Sequence, residues 1–308
     1  MRRALYLGLV CLALCAAPVW ARPPIEIAAG VYAFTGAAGE PAPGNGGDAG
    51  NSGFITSPAG VLIIDSGASY AIGKRRLAAL RRKTRAPVRM AILTHATQEF
   101  LFGAAALHEQ AIPLLAHPRS TDLITQRCHT CLATLRQQLG ARRLAGTRVL
   151  TPSLLLHSST TLGLGERVVE ILHLGWASTP GDLVVFDRDS GTLFAGGLVV
   201  ADRVPNLRDA DIDGWMAALD RLRQMPVRHI VPGFGAPGGA ELIDDTRRYL
   251  SELKRVTEEA YARGDGLLDA LQNAQLGDYA NRILYNKLHP QNVQRLYLKL
   301  EQAEFEPR

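Results

Sequence analysis

The chain has 308 residues, a formal net charge of +5 at pH 7, 47% hydrophobic residues and 20% charged residues. This length suffices for one large α/β domain or two small ones. No basic stripe and no block of like charge stands out, so the composition gives no indication of nucleic-acid binding or of a charged membrane-binding surface.

The first 21 residues have the pattern of a secretory signal peptide. Arg2 and Arg3 form a short basic segment, residues 4–17 are apolar, and a small-residue cleavage site ends at Ala21. The apolar stretch is shorter than a typical transmembrane helix. We therefore expect export to the periplasm or secretion, a mature chain from about residue 22, and no membrane attachment after cleavage.

The first half of the mature chain predicts a hairpin, a helix and a buried strand, in that order. The predicted elements are a strand at 31–35, a hairpin at 54–64, a helix at about 69–83 and a strand at 90–93. His95 lies in the loop at the carboxyl end of the last strand, where α/β folds usually have their functional residues. The arginines of the helix are expected to form its solvated face.

The second half repeats this order with nearly the same spacing. A hairpin at 183–194 and a helix at about 213–224 are followed by a strand at 229–231 that leads to Phe234. A Pro-Val-Arg sequence precedes the final strand in both halves. The repetition predicts a pseudo-two-fold fold of two sheets with helices outside, in which His95 and Phe234 end corresponding strands and face one cleft.

The remaining predicted elements extend this one domain. Short strands are expected at 111–117 and 168–173, and the chain becomes helical beyond Gly239, with Pro290 marking the start of the last helix. We therefore predict a single domain at 22–308, with a core at about 30–255 and a helical extension at about 256–308.

Two cysteines follow the predicted signal peptide, as Cys128-His129-Thr130-Cys131. In an exported protein such a close pair indicates a disulfide. A redox-active pair is the alternative, although such a pair normally opens a helix directly after a strand, and the helical context at 121–139 differs from that.

Several segments resemble the metallo-β-lactamase superfamily, and the resemblance covers most of residues 30–255. The segments that carry it are Gly50–Ile55, Val61–Gly67, Leu93–His95, Gly175–Val185, Leu193–Gly197 and Val231–Gly235. The resemblance implies an α/β (α+β) fold, the αβ/βα four-layer sandwich of the metallo-β-lactamase type. The tail at 288–297 resembles the exported subgroup of quinoprotein relay system zinc metallohydrolases, which implies a periplasmic quinoprotein dehydrogenase system as partner or pathway.

In that family one or two zinc ions are held by a His-x-His-x-Asp-His loop and by a His, an Asp and a His from later loops. The resemblance places His95 at the first of these positions. The other positions hold Thr97, Glu99, Phe100, Ser178, Gly197 and Phe234. Six of the seven positions therefore differ from the family pattern.

These differences predict that the metal is lost. A catalytic zinc ion requires about three nitrogen, sulfur or carboxylate ligands, and only His95 and Glu99 could supply them. Phe100 and Phe234 would fill the space with apolar rings and give a dry, apolar pocket. No cofactor is expected, or zinc if the site is remodelled. No residue is assigned as catalytic, and the candidates are His95, Glu99 and Asp182.

Three functions follow as hypotheses. The first is a non-catalytic or weakly active relative of the zinc hydrolases, whose cleft binds a small molecule or a partner of the quinoprotein system. The second is a metal-dependent hydrolase of the thioester, ester or β-lactam class, using His95, Glu99 and Asp182 around one metal or an ordered water. The third is a thiol–disulfide role for Cys128 and Cys131.

Overall fold

The computed structural model describes residues 23–305, which fold into two β-sheets packed face to face, with helices on both outer sides. This arrangement confirms the predicted α/β sandwich of four layers. The predicted signal peptide at 1–21 lies outside the described residues. Within residues 23–305, no helix is long and apolar enough to cross a membrane.

The first sheet has its seven strands in sequence order. They are β1 Ile25–Ala28, β2 Val31–Phe34, β3 Ser52–Ser57, β4 Gly60–Ile64, β5 Val88–Ile92, β6 Leu114–Ala116 and β7 Leu154–Leu155. Pairing is antiparallel from β1 to β4 and parallel from β4 to β7. The parallel part carries the loop after β5 to one edge of the sheet.

The second sheet has five strands in the order β12-β11-β10-β9-β8. They are β8 Thr160–Leu164, β9 Arg167–Leu172, β10 Val184–Asp187, β11 Thr192–Val200 and β12 His229–Phe234. Strand β11 is buried throughout and runs six residues further than the predicted hairpin end at 194. Its far end reaches the same edge as the loop after β5.

The helices form the two outer layers. They are α1 Tyr70–Lys83, α2 Gln98–Leu101, α3 Ala104–His108, α4 Pro118–Leu139, α5 Ile212–Arg223, α6 Glu241–Ala262, α7 Leu267–Asn273 and α8 Tyr285–Phe305. Leu80 of α1 packs with Phe54 of the first sheet, and Trp215 of α5 packs with Leu193 of the second sheet. A third apolar cluster, with Ile55 from one sheet and Val185 from the other, joins the two sheets.

Helix α1 shows how local sequence sets these contacts. Its N-cap Ser69 accepts a hydrogen bond from Ile72 N at 3.3 Å, and three basic residues in its last turn complement the helix dipole. A Cβ at Gly73 would lie 2.3 Å from Gly103 O, so only glycine allows α1 and α3 to pack this closely. The prediction of a solvated arginine face is wrong for Arg76, which is buried.

The predicted internal repeat is present. Strands β4 and β5 are parallel with α1 between them in sequence, and β11 and β12 are parallel with α5 between them. His95 follows the end of β5, and Phe234 is the last residue of β12. Both residues therefore lie at the carboxyl ends of corresponding strands, as the sequence predicts.

The predicted start of the last helix at Pro290 is wrong, because α8 begins at Tyr285 and contains Pro290. Contacts within α8 and with the preceding loop hold the extra turn in place. The Tyr285 ring stacks on His289 with centroids 4.6 Å apart, and the Tyr285 hydroxyl accepts a hydrogen bond from Leu276 N at 2.8 Å. These contacts outweigh the backbone donor that proline lacks.

Candidate functional site

A small pocket of about 60 Å³ lies where the loop after β5 meets the end of β12. It is lined by His95, Thr97, Ser178, Thr179, Gly197, Val200, Arg203, Asn206, Arg208, Asp209, Trp215 and Phe234. The pocket thus brings together His95, Thr97, Ser178, Gly197 and Phe234, five of the seven positions predicted to correspond to metal ligands. Glu99 and Phe100 lie next to it on α2.

His95 is buried and sits in a chain of hydrogen bonds. Thr94 donates from its backbone N and its hydroxyl to the two Asp65 carboxylate oxygens, at 2.8 and 2.7 Å. Because the Thr94 hydroxyl hydrogen is used, its oxygen accepts from His95 Nδ1 at 2.8 Å. His95 Nε2 then accepts from the Thr97 hydroxyl at 3.0 Å. Both ring nitrogens of His95 are therefore occupied by protein groups.

Burial shifts the pKa values of His95 and Asp65, two titratable groups in this chain of hydrogen bonds. It lowers the pKa of His95 to about 3, so the imidazole stays neutral at ordinary pH. It raises the pKa of Asp65 to about 7, although the bonds from Thr94 and the charge of Arg76 oppose the rise. A neutral His95 whose Nε2 lone pair is already used is poorly prepared to act as a general base.

Asp182 belongs to a second buried network. The Ser178 hydroxyl lies 3.0 Å from each Asp182 carboxylate oxygen, and Thr179 donates to that carboxylate from its backbone N at 2.7 Å and its hydroxyl at 2.6 Å. Burial raises the pKa of Asp182 to about 7 against these bonds. The carboxylate thus shapes the loop, and Ser178 donates its proton to it, an arrangement that does not resemble an activated serine nucleophile.

Aromatic rings fill the opposite side of the site. The Phe100 and Phe234 rings meet edge to face with centroids 5.2 Å apart, and the Phe100 ring lies 4.2 Å from the His95 ring. Together with Val200, the two phenylalanines form a small apolar cluster. They occupy the space that imidazoles would need at these two positions.

Gly197 has no room for a side chain. A Cβ at this position would lie 2.4 Å from Ser178 Oγ and 3.1 Å from His95 Cδ2. Real Cβ atoms essentially never approach another atom as closely as the first of these distances. An aspartate at position 197 would therefore displace Ser178, so the strand end is adapted to glycine.

Glu99 lies in the first turn of α2 and is half-buried. Burial raises the pKa of its carboxyl group, and the positive charges of Arg203 and Arg208 lower it again in part. The electrostatic neighbours of Glu99 are therefore guanidinium groups.

The sequence did not identify Arg203 and Arg208 as site residues. The Arg203 guanidinium lies 3.9 Å from the centre of the Phe234 ring, and Arg208 pairs with Asp209 at 2.9 Å. The prediction of an apolar pocket is therefore wrong in part, because Arg203, Arg208 and Asp209 also line the pocket. These residues follow β11 in a loop without a motif, so only their position in space identifies them.

The predicted disulfide is also corrected, since Cys128 and Cys131 are free thiols. Both lie inside α4, where Cys128 faces the core and Cys131 lies at its edge. The two thiols are hydrogen-bonded to each other one helical turn apart, and no bond joins their sulfurs. That hydrogen bond raises the pKa of Cys128 and lowers the pKa of Cys131.

The family model described as metallo-beta-lactamase superfamily matches residues 45–233, and the chain belongs to this superfamily.

Two curated relatives carry the name metallo-beta-lactamase type 2. The protein from Bacteroides fragilis is 30% identical over 99 residues, which span 30% of this chain and 40% of that protein. The protein from Bacillus sp. (strain 170) is 26% identical over 195 residues, which span 61% of this chain and 68% of that protein. The first match therefore spans less than half of that relative's length.

Solved structures show the same fold. A metallo-beta-lactamase from Pontibacter korlensis superposes with a TM-score of 0.61 at 22% identity, over 74% of this chain and 98% of that chain. The DIM-1 metallo-beta-lactamase gives a TM-score of 0.58 at 18% identity, over 74% and 96% of the two chains. At these identities the likeness concerns the fold alone.

Proteins of this superfamily usually bind zinc, but the side chains of this site do not fit a zinc ion. Within residues 23–305, no three His, Cys, Asp or Glu side chains are grouped so that they could hold a metal. His95 uses both nitrogens in hydrogen bonds, and Asp182 is enclosed by Ser178 and Thr179. Candidates His95, Glu99 and Asp182 therefore do not form a metal-binding group in this part of the chain.

Proposed function

We propose that this chain is a member of the superfamily that has lost zinc-dependent hydrolysis and uses the cleft between the ends of β5 and β12 as a binding surface. The observation that carries the proposal is the Phe100 ring, which packs against both His95 and the Phe234 ring. A zinc ion there would be desolvated beside two rings without the compensating ligands that it requires.

The hydrogen bonds of His95 support the same proposal. A zinc-binding imidazole needs a bare nitrogen toward the metal, with the other nitrogen held by an outer partner. Here Thr94 and Thr97 occupy both nitrogens of His95. Metal binding would have to break the bond to Thr97 and leave that half-buried hydroxyl without its acceptor.

We further propose that the protein is exported and acts with a periplasmic quinoprotein dehydrogenase system. The signal-peptide pattern at 1–21 and the resemblance of the tail at 288–297 support this. Export predicts a mature N-terminus near Arg22, which N-terminal sequencing of the periplasmic fraction would show. In a host with such a dehydrogenase, loss of this chain should lower dehydrogenase activity, and unchanged activity would contradict the pathway.

Metal analysis tests the central proposal. The full mature protein, loaded with excess zinc and then dialysed, should retain far less than one zinc ion per chain. The matched positive control is the Thr97→His, Ser178→His double variant, which places two imidazoles beside His95 in the same pocket. We expect this variant to retain about one zinc ion per chain, because three nitrogen ligands suffice for a catalytic type of site.

Stoichiometric zinc in the wild-type protein after dialysis would overturn the proposal. A remodelled hydrolase would also show ester or thioester turnover that His95→Ala abolishes. Equal and negligible turnover in both proteins is the expected result.

A thiol–disulfide role is a second candidate function, favoured by the free Cys128 and Cys131 thiols within one helical turn. Cys131 is half-buried, and its pKa is lowered, chiefly by the hydrogen bond from Cys128. Oxidation would join the two sulfurs, release two protons and pass two electrons to an external disulfide, which becomes two thiols.

Alkylation kinetics and redox equilibration test this role. Cys131 should react with iodoacetamide faster than Cys128, and the pair should oxidise reversibly in glutathione buffers, whereas Cys131→Ser should not. Equal and slow alkylation of both cysteines in the folded protein would rule it out.

A further inference from the structure

A second cavity, of about 460 Å³, is separate from the pocket at His95. It is enclosed by α1 on one side and by the loop between β2 and β3 on the other. Its charged and aromatic lining residues are Phe34, Asp48, Arg75, Arg76 and Arg82. None of its lining residues lines the pocket at His95. Its volume lies within the range of small-molecule binding sites, roughly 300–1,000 Å³.

We propose that this cavity, named here the α1 cavity, binds a small organic anion that carries two or more carboxylate groups. The charges of the cavity, its apolar wall and its preformed loop carry the inference.

The α1 cavity has an excess of positive charge. Asp48 is the acidic residue among its lining residues, and it serves two guanidinium groups at once. Arg76 Nη2 donates to Asp48 Oδ1 at 2.6 Å, and Arg75 Nη2 lies 3.7 Å from Asp48 Oδ2. With Arg82 there are three cations and one anion, so an entering polyanion would balance the charge.

Burial makes this excess of positive charge unfavourable. The Arg76 side chain is 9% exposed, and the Arg75 side chain is about one-third exposed. Burial lowers the pKa of Arg75, the charge of Asp48 opposes this, and the neighbouring Arg76 lowers the pKa further. Among residues 23–305, Arg76 Nε and Nη1 have no hydrogen-bond partner. Buried cations of this kind are stabilised by pairing with carboxylates, to which guanidinium groups bind in a bidentate manner.

The apolar part of the cavity explains why the ligand should be organic. Phe34, Ala37, Ala78 and Ala79 line it beside the arginines. The Arg76 guanidinium lies 5.6 Å from the centre of the Phe34 ring, which fixes its orientation. An inorganic anion would pair with the arginines but would make no apolar contact with this wall.

The loop that closes the cavity is already held in place by hydrogen bonds. Asn45 Oδ1 accepts from Ala42 N at 2.9 Å and from Gly47 N at 3.0 Å. Ala37 N donates to Asp48 O at 2.9 Å across the base of the loop. The ligand therefore meets a preformed wall, which reduces the ordering cost of binding.

The test is a calorimetric titration of the mature protein with benzene-1,3,5-tricarboxylate, at constant ionic strength. We expect one saturable site, with benzoate binding at least about tenfold more weakly, since a charge-assisted bond typically changes affinity by that much or more. Affinity should fall as salt is added. Inorganic phosphate should also bind more weakly, and phosphate binding as tightly as the tricarboxylate would overturn the organic ligand.

Variants assign the site. Arg75→Gln with Arg82→Gln should weaken tricarboxylate binding at least about tenfold. The matched control is Lys74→Gln with Lys83→Gln, which removes the same charge from α1 at positions that do not line the cavity. Circular dichroism should show that both double variants are folded.

Two results would overturn the proposal. One is the absence of saturable binding by the wild-type protein. The other is equal loss of binding in the two double variants, or a loss in Arg208→Gln alone, which would place the anion at the pocket near His95. Arg203 and Arg208 line the pocket near His95 and do not line the α1 cavity, so the Arg208→Gln variant distinguishes the two pockets.

Discussion

The two halves of this molecule have the same order of strands and helices, and they differ in the side chains that each half places at the cleft. In both halves an aspartate in the left-handed backbone region follows the first parallel strand, Asp65 with φ 57° and Asp202 with φ 61°. Each carboxylate accepts the backbone N–H two residues beyond the next strand, Thr94 N at 2.8 Å and Ala236 N at 3.1 Å. Asp65 is buried, whereas Asp202 is exposed.

Beyond this shared hydrogen bond the halves diverge. The first half continues from Asp65 through Thr94 into the polar chain that ends at His95 and Thr97. The second half continues into the Phe234 ring, which packs between Phe100 and Arg203. Both halves therefore keep the same carboxylate-to-backbone hydrogen bond, which is buried at Thr94 and exposed at Ala236, while the side chains beyond it differ.

The largest effect should distinguish the two aspartates. Asp65→Ala leaves the buried Thr94 N–H and hydroxyl without an acceptor and should lower the free energy of unfolding by about 4 kcal/mol. Asp202→Ala removes one exposed bond and should lower it by about 1 kcal/mol. Urea unfolding measures both values. Similar losses in the two variants would show that burial does not separate the halves.

The pH dependence of stability should be the next largest effect. The pKa of Asp65 rises from 3.8 to about 7 on folding, so the folded state keeps a proton that the unfolded state loses. The contribution of Asp65 to the free energy of unfolding is therefore present at low pH and is lost as pH rises through about 7. The loss is at most about 4 kcal/mol, because one pKa unit corresponds to about 1.4 kcal/mol.

Urea unfolding of the wild-type protein and of Asp65→Asn from pH 4 to pH 8 checks this. Subtracting one profile from the other cancels the opposite contribution of His95. Because folding lowers the pKa of His95, its contribution to stability is present above its unfolded-state pKa and is lost as pH falls toward 3. Parallel profiles for the two proteins would contradict the raised pKa of Asp65.

A smaller effect should appear at Gly197, which packs against Ser178 of the same half and lies beside His95 of the other half. Gly197→Ala introduces a Cβ 2.4 Å from Ser178 Oγ and should destabilise the fold by about 2 kcal/mol. Gly163→Ala in β8 is the control, because its Cβ would have one neighbour, at an ordinary distance of 3.8 Å. Thermal unfolding should show a clearly lower Tm for the first variant than for the second. Equal Tm values would mean that Ser178 moves aside without cost.

The smallest effect concerns the end of the polar chain. Thr97→Val keeps the side-chain shape but removes the hydroxyl that donates to His95 Nε2, and it should lower stability by about 1 kcal/mol. Thr97→Ser keeps the hydroxyl and should lose less. If Val and Ser variants are equally stable, the hydroxyl bond to His95 contributes nothing measurable.

Local sequence patterns were enough to predict the order of the elements and the internal repeat. Apolar runs that end in turn residues predicted β4, β5, β10, β11 and β12, because strand periodicity and turn chemistry are local properties. The same local pattern placed His95 and Phe234 at matching strand ends. It also predicted helix α1, whose N-cap Ser69 is a local signal.

The charge and polarity of the pockets could not be predicted from such patterns, because they depend on tertiary packing. Arg76 looks like any solvated helix arginine in sequence, and only the packing of α1 against Asp48 buries it. Arg203 reaches Phe234 from a loop without a motif, and the turn of α8 before Pro290 includes His289, whose Nδ1 lies 3.1 Å from the Tyr249 hydroxyl of α6. The physical reason is the same in each case: burial, charge balance and the partners of a polar group depend on residues far apart in the chain, which local patterns do not encode.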